Sequence, residues 1–262
     1  MKLLLSLLAF SFFAVLEAQV TKDYHFIEEY EFNLGYANLQ GDMGKPSSYF
    51  SGFGSSGIVL GAKFYTYFSD PRDNTRSYLE KHLKYNFDTH FTYIKLVNKK
   101  GKGLSPVYAS KINAIKGNLF MGNIGFNVEY HLTDLRFNLF FESKFFTHFD
   151  LYVSGGAFIT LSNVNITSDL GDYTKDQTIL PYSYKGYINN GNMINPGLRY
   201  GIGIRYKLND QIQFSLSNNW SYFNSDYIDG INPNSKLVKN LHNDWMFRTN
   251  IGVIYFLTKE YN

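Results

Sequence analysis

The chain has 262 residues, with 25 Lys+Arg against 22 Asp+Glu and a formal net charge of +3. That near-balance excludes the strongly basic footprint of a nucleic-acid partner. The absence of cysteine excludes disulfides, thiolate metal sites and a lipidated N-terminal cysteine.

Residues 1–18 read as a secretory signal peptide. Lys2 supplies the positive start, Leu3 to Leu16 is almost wholly apolar, and Leu16-Glu17-Ala18 places a small residue at the cleavage point. The mature barrel domain is then expected over 19–262. No other stretch approaches the roughly 18 consecutive apolar residues that a membrane helix needs. With 22 Tyr and 24 Phe, the aromatic content is 18 %, yet mean hydropathy is only -0.24. Alternating strands with aromatic girdles would have that pairing.

The first strand is expected from Tyr24 to Leu39. Tyr30, Phe32, Leu34 and Tyr36 share one face, and Glu29, Glu31, Asn33 and Gly35 the other. Glu28 interrupts the apolar row, which is tolerable at headgroup level and costly at mid-bilayer. Residues 40–54 are rich in Gly and Ser and read as a loop. The second strand is expected over Gly57 to Phe68, with Ile58, Leu60, Ala62 and Phe64 outward and Gly61, Lys63 and Tyr65 inward. A polar turn follows from Ser69 to Asn74. In 75–83 a short helical turn is allowed, because Leu79 and Leu83 are four apart.

The third strand, about Lys84 to Val97, sets Tyr85, Phe87, Phe91 and Tyr93 against Asn86, Asp88, His90 and Thr92. Residues 98–110, with Lys99, Lys100 and Lys102, read as a basic loop, either a solvated tip or a patch for acidic sugars. The fourth strand is expected from Lys111 to Leu132. Phe120, Ile124, Phe126 and Val128 lie on one face, with Asn123, Gly125, Asn127, Glu129 and His131 on the other. Residues 133–148 read as an apolar connection, a short helix or a segment lying at the interface.

The fifth strand, Phe149 to Leu161, is followed by a polar segment from Ser162 to Pro196 that reads as a long loop. The last third has the clearest alternation. Leu198, Tyr200, Ile202, Ile204, Tyr206 and Leu208 oppose Arg199, Gly201, Gly203, Arg205 and Lys207. A seventh strand from Ile212 to Tyr222 and an eighth from Trp245 to Leu257 follow, separated by a loop over Asn224 to Asp244.

A soluble sandwich alternates too. Aromatic residues at strand ends, glycine and charge on the polar face, and the loop lengths favour a membrane barrel instead. Loops at 40–54, 98–110, 162–196 and 224–244 are long, whereas the turn after Leu208 is short. The expected fold is all-β: a single antiparallel up-and-down transmembrane barrel of about eight strands in the cell outer membrane, with long extracellular loops and shorter periplasmic turns.

Glu29, Glu31, Lys63, Asp88, His90, Glu129, Arg199, Arg205 and Arg248 are then expected to point inward. Eight strands leave room for a side-chain plug rather than a wide channel. Mixed signs favour a plug of paired charges over an ion path. A lipid-modifying enzyme would need a His with a Ser or acid partner near the outer rim. None of His25, His82, His90, His131, His148 and His242 lies in a recognised catalytic or metal motif. The best constellation is His242 with Asp226, Asp229 and Asp244. Asp169, Asp172 and Asp176 could bind calcium but lack EF-hand spacing. The tyrosine-rich tip from Pro181 to Tyr187 suits either ligand contact or self-packing of the loop. No residue is assigned from the sequence as catalytic, cofactor-binding or metal-ligating, and no cofactor is expected.

Several short segments resemble a known family. These are Leu34-Gly35-Tyr36-Ala37-Asn38-Leu39-Gln40-Gly41-Asp42, the run Tyr200 to Leu208, Asp226-Tyr227-Ile228-Asp229-Gly230-Ile231, and Asn243-Asp244-Trp245. Together they are similar to a group of Bacteroidota outer-membrane β-barrels of the PorG type, whose best-known member belongs to the type IX secretion machinery and whose other members have no assigned role. The resemblance implies a non-enzymatic scaffold or assembly component that contacts outer-membrane lipid and anchors periplasmic secretion-ring proteins. Irregularity at 75–83 and 133–148, and the tail Thr258 to Asn262, depart from the group's pattern. The alternative function is a surface-binding barrel that recognises protein or glycan through its long outer loops. A lipid-modifying barrel enzyme is a third reading.

Overall fold

The computed structural model describes residues 26–43, 55–68, 78, 81–98, 105–133, 135, 149–209, 211–232 and 243–257. Eight strands form a closed barrel in sequence order: β1 (Phe26–Gln40), β2 (Ser56–Phe68), β3 (Leu83–Val97), β4 (Ile115–His131), β5 (Phe149–Ser168), β6 (Gly191–Lys207), β7 (Ile212–Phe223) and β8 (Trp245–Leu257). Every neighbouring pair is antiparallel, and β1 closes on β8 with Leu34 opposite Ile251. A short helix, α1 (Pro106–Asn113), precedes β4. Closure pairs each strand with a neighbour on both sides, so no edge strand is left to face hydrocarbon.

Alternation puts the apolar face outside. Phe32, Leu34, Ile58, Leu60, Phe91 and Ile251 are each more than half exposed and lie in one belt, since Leu34 pairs with Leu60 and Ile251, and Leu60 with Phe91. Aromatic residues border it. At the outer end Trp220 stacks on Tyr200 with centroids 5.4 Å apart and tilts against Phe247 at 5.2 Å. At the inner end Tyr30 packs on Phe64 and Phe149 on Tyr206. A closed barrel with a lipid-compatible belt between aromatic girdles places the protein in the outer membrane. No helix among the described residues is long and apolar enough to cross a membrane. Glu28 pairs with Leu257 and Thr66 close to the inner end of β1, at headgroup level and away from the apolar belt.

Two strands are longer than their sequence pattern indicates. β5 continues seven residues past Leu161 to Ser168, and β6 begins seven residues before Leu198, at Gly191. In the β5 extension the alternation keeps its period but reverses its chemistry, whereas Ile194 of the β6 extension still faces out. Val164 and Ile166 point inward and are buried, while Asn163, Asn165 and Thr167 face out. Above the membrane the outside is water and the inside is an apolar core, so the hydrophobic positions change face. Pro196 is tolerated because this part of β6 extends past the end of β7, whose pairing starts at Gly197.

The expected start of the fourth strand at Lys111 is corrected. Residues 106–113 form α1, whose N-cap Ser105 accepts a hydrogen bond from Tyr108 N, with Pro106 in the first turn. The strand begins at Ile115. The helical turn expected around Leu79 and Leu83 is also corrected at Leu83, which is the first residue of β3. Leu79 itself, most of 133–148, the signal peptide, the basic residues Lys99, Lys100 and Lys102, and the tail after Leu257 lie outside the described residues.

Candidate functional site

The interior of the barrel divides into three zones. Nearest the periplasm is a dense ion-pair network. Arg205 reaches across the lumen, donating from Nη1 to Glu29 at 2.8 Å and from Nη2 to Glu129 at 2.7 Å. Lys84 binds the other Glu29 oxygen at 2.5 Å, and Lys63 lies 3.2 Å from Glu31. The Tyr65 hydroxyl donates to Glu31 at 2.5 Å, and its ring lies 4.4 Å from the Arg205 guanidinium carbon. His131 contacts Asp150 at 2.5 Å and Glu129 at 3.5 Å, and Thr133 donates to Asp150. Strand alternation delivers all of these side chains to one lumen. Charges taken out of water need such partners, because an unpaired buried ion costs several kcal/mol.

Higher in the lumen the pairing is thinner. Asp88 accepts from Arg199 Nη1, and His90 Nδ1 lies 3.1 Å from the same carboxylate. Arg199 also sits 4.8 Å from the Phe158 ring and donates from Nε to Ser221. Arg248 is fully buried in this layer.

The third zone is apolar. Leu39, Val59, Ile94, Leu119, Met121, Phe158, Phe223 and Met246 line the outer end of the lumen and join one core with the loop residues Met43, Leu180, Tyr184, Ile228 and Ile231. The long loops therefore fold over the mouth. Tyr184 is buried and receives a hydrogen bond from Asn98, while Tyr108 and Ser183 share another at 2.8 Å. Burial pushes the Tyr184 phenol upward, so it stays neutral. Ile188 bridges Ile231, and Asn189 N donates to Gly230 O, tying the third outer loop to the fourth. Gly230 has φ +81°, and a Cβ there would approach Val164 at 3.0 Å.

Two aspartates fasten this cap. Asp229 accepts from Met43 N at 2.6 Å and from Ile231 N at 2.9 Å. Asp244 accepts from Ile228 N at 2.7 Å. Oxygens of both carboxylates crowd Gly41, where a Cβ would lie 2.4 Å from Asp244 Oδ1 and 2.5 Å from Asp229 Oδ2. Burial first, and then the neighbouring charges of Asp229, Asp42 and Asp226, hold the Asp244 carboxyl well above the usual carboxylate range.

All nine charged residues expected inside are buried there. Asp226, Asp229 and Asp244 come together as the sequence suggested, but Asp229 and Asp244 serve as loop fasteners. No group of three or more His, Asp or Glu able to hold a metal occurs among the described residues. His242 lies outside them. The calcium reading for Asp169, Asp172 and Asp176 is corrected. Asp172 accepts from Thr174 N, Asp176 caps the turn at Thr178 N, and Asp169 pairs with Lys116. Of the tyrosine-rich tip, Tyr184 packs into the core and Tyr182 stays exposed. Sequence reasoning missed Lys84, Asp150 and Asp42. The first two were findable, since each shares its strand's inward frame, Lys84 with Asp88 and Asp150 with Tyr152.

No protein-family model matches the chain, and no curated protein does either. Solved structures similar to it are outer-membrane proteins. The attachment invasion locus protein Ail of Yersinia pestis is 12 % identical with a TM-score of 0.41, covering 88 % of this chain and 99 % of that one. A major outer membrane protein of Thermus thermophilus is 10 % identical with a TM-score of 0.46, at 88 % and 99 % coverage. The outer membrane protease OmpT of Escherichia coli is 7 % identical with a TM-score of 0.33, at 92 % and 99 % coverage.

Proposed function

We propose that this protein is a non-enzymatic scaffold or assembly component of the outer membrane that works through its surfaces and not through its lumen. The observation that carries this reading is the double seal: a cross-linked charge network below and an apolar cap above. Arg205, which spans the lumen between Glu29 and Glu129, is 1 % exposed, and the cap residues Ile228 and Ile231 are 0 % exposed. Among the described residues, a lumen so filled offers no path for a solute and no open cleft for a substrate.

The assembly proposed is type IX secretion, with the barrel anchoring periplasmic ring proteins, as the resemblance to the PorG-type barrels implies. In support, the loop residues of that resemblance gather in one place, while most of its strand residues lie in β1 and β6. Asp42, Asp229, Gly230 and Asp244 all lie in the cap. The test is purification of tagged protein from its own membranes in mild detergent. Recovery of periplasmic ring proteins is expected. Recovery of the barrel with lipid alone, together with normal secretion after its deletion, would refute the assignment.

A second reading, surface recognition of protein or glycan, is favoured by the outer face of the cap. Val107 and Tyr182 are 69 % and 57 % exposed, and the Tyr182 ring packs against Tyr108 beside them. Val107→Ser with Tyr182→Ser leaves the buried cap intact. Loss of cell-surface binding with secretion unchanged would favour this reading over the scaffold. Lipid A from overexpressing cells is expected to stay unmodified, and a mass shift would revive the enzyme reading.

A further inference from the structure

The charges of the upper lumen do not balance. Arg248 and Arg199 supply two guanidiniums, and among the described residues the one carboxylate that pairs with either is Asp88, on Arg199. Its Oδ2 is already taken by Arg199 Nη1, and Oδ1 is turned against Gly125 of β4, 2.4 Å from where a Cβ would stand. Arg248, from the other side of the barrel, forms no ion pair among the described residues, and its Nε and Nη1 have no hydrogen-bond partner. Two further donors are in the same position, Arg199 Nη2 and Asn250 Nδ2, against two acceptors that receive no hydrogen bond, Asn250 Oδ1 and Asp88 Oδ1. Asn250 lies two residues along the same inward face of β8, and both it and Arg248 are at most 1 % exposed. Across the sheet Arg248 faces Ala37 and Asn219, and Asn250 faces Gly35 and Ser217, so small neighbours surround the unpartnered donors.

We propose that this layer is an anion-binding site that holds one small monovalent anion of the halide class between Arg248, Arg199 and Asn250. The charge argues for monovalence: two guanidiniums and one carboxylate leave a surplus of one positive charge. Burial argues for an ion and not for bulk solvent. The apolar cap closes the outer end, and an isolated guanidinium kept from water is costly unless a counter-charge accompanies it. An anion accepts from several donors at once with no donor of its own to satisfy, which matches a cluster richer in free N–H than in free acceptors. Its role is structural: it completes the charge plug where the chain provides no acid.

The test uses the full barrel refolded in lipid and crystallised from bromide. An anomalous bromide peak within hydrogen-bond reach of the Arg248 guanidinium is expected. In parallel, urea unfolding is measured in bromide against gluconate at fixed ionic strength. For one anion bound only by the folded state, a tenfold rise in bromide raises the folding constant up to about tenfold once the site approaches saturation. Asn250→Asp supplies a tethered negative charge at the site and should abolish the bromide dependence while the barrel still folds. Arg248→Met should abolish it as well. Ordered water alone beside Arg248, bromide confined to the protein surface, or a bromide dependence that survives Asn250→Asp would each overturn the proposal.

Discussion

Replacing Arg205 by Met tests whether the inner charge network holds the barrel together. Methionine keeps most of the buried stem but removes two charge-assisted hydrogen bonds, at 2.8 and 2.7 Å, and the contact with the Tyr65 ring. Hydrogen bonds to charged groups contribute about 1.5–3 kcal/mol each, so the pair is worth about 3–6 kcal/mol. The carboxylates are not left bare. Lys84 stays on Glu29, and Asn86 stays on Glu129 with Lys63 3.9 Å away. The expected cost is therefore toward the low end, about 3–4 kcal/mol, in line with breaking buried pairs elsewhere. Adding Glu129→Gln to Arg205→Met removes the surplus negative charge. The double variant should be more stable than the sum of the singles predicts, with a coupling of about 1–3 kcal/mol. The assay is reversible urea unfolding in lipid vesicles, followed through the fluorescence of Trp220 and Trp245 and extrapolated linearly. A single-variant loss below about 1 kcal/mol, or strict additivity in the double, would refute the claim that these charges are energetically coupled.

Three other outcomes follow from the same geometry. Phe91→Arg, in the lipid-facing belt, should cost about 2–4 kcal/mol in vesicles, whereas Glu28→Gln at the inner end should change stability by less than about 1 kcal/mol; the contrast is read in the same unfolding assay. Gly230→Ala, at φ +81° and pressed against Val164, should destabilise the cap by about 1–3 kcal/mol, seen as faster loop proteolysis with the strand amides still protected from exchange. Because the Asp244 carboxyl is held above its ordinary range, the folded cap binds a proton that the open cap releases. Its contribution is fully present below about pH 4, the unfolded value, and is lost as pH rises toward the folded one. Loop amide exchange, corrected for its intrinsic pH dependence, should therefore show the cap loosening with rising pH, and Asp244→Asn should flatten that trend.

The strands were legible because lipid imposes a simple code. Phe32, Leu34 and Tyr36 alternate with Glu31, Asn33 and Gly35, and the same alternation recurs through Ile251 and Val253. Where one solvent faces one side of the sheet, polarity reports orientation directly. The extension of β5 to Ser168 was not legible for the same reason. Once the strand leaves the membrane, Val164 and Ile166 face inward and Asn165 outward, so a reading based on lipid sees a polar loop. Helix α1 was hidden by its length of eight residues and by Lys111 and Ile112, which also suit a strand start. The aspartate cluster was visible as composition, but its task was not, since Asp229 reaches Met43 across 186 residues of chain.

The sequence by itself determined the class of fold, the eight strands, the lipid-facing belt and the inward direction of nine charged side chains. These depend on residue type and a period of two, both of which are local. Only the tertiary structure decided which charges meet. Arg205 joins Glu29 to Glu129 across 176 and 76 residues, whereas Arg248 meets no acid among the described residues. Pairing in a barrel depends on register and closure, and one residue of slip in β6 or β8 would turn either arginine out into lipid.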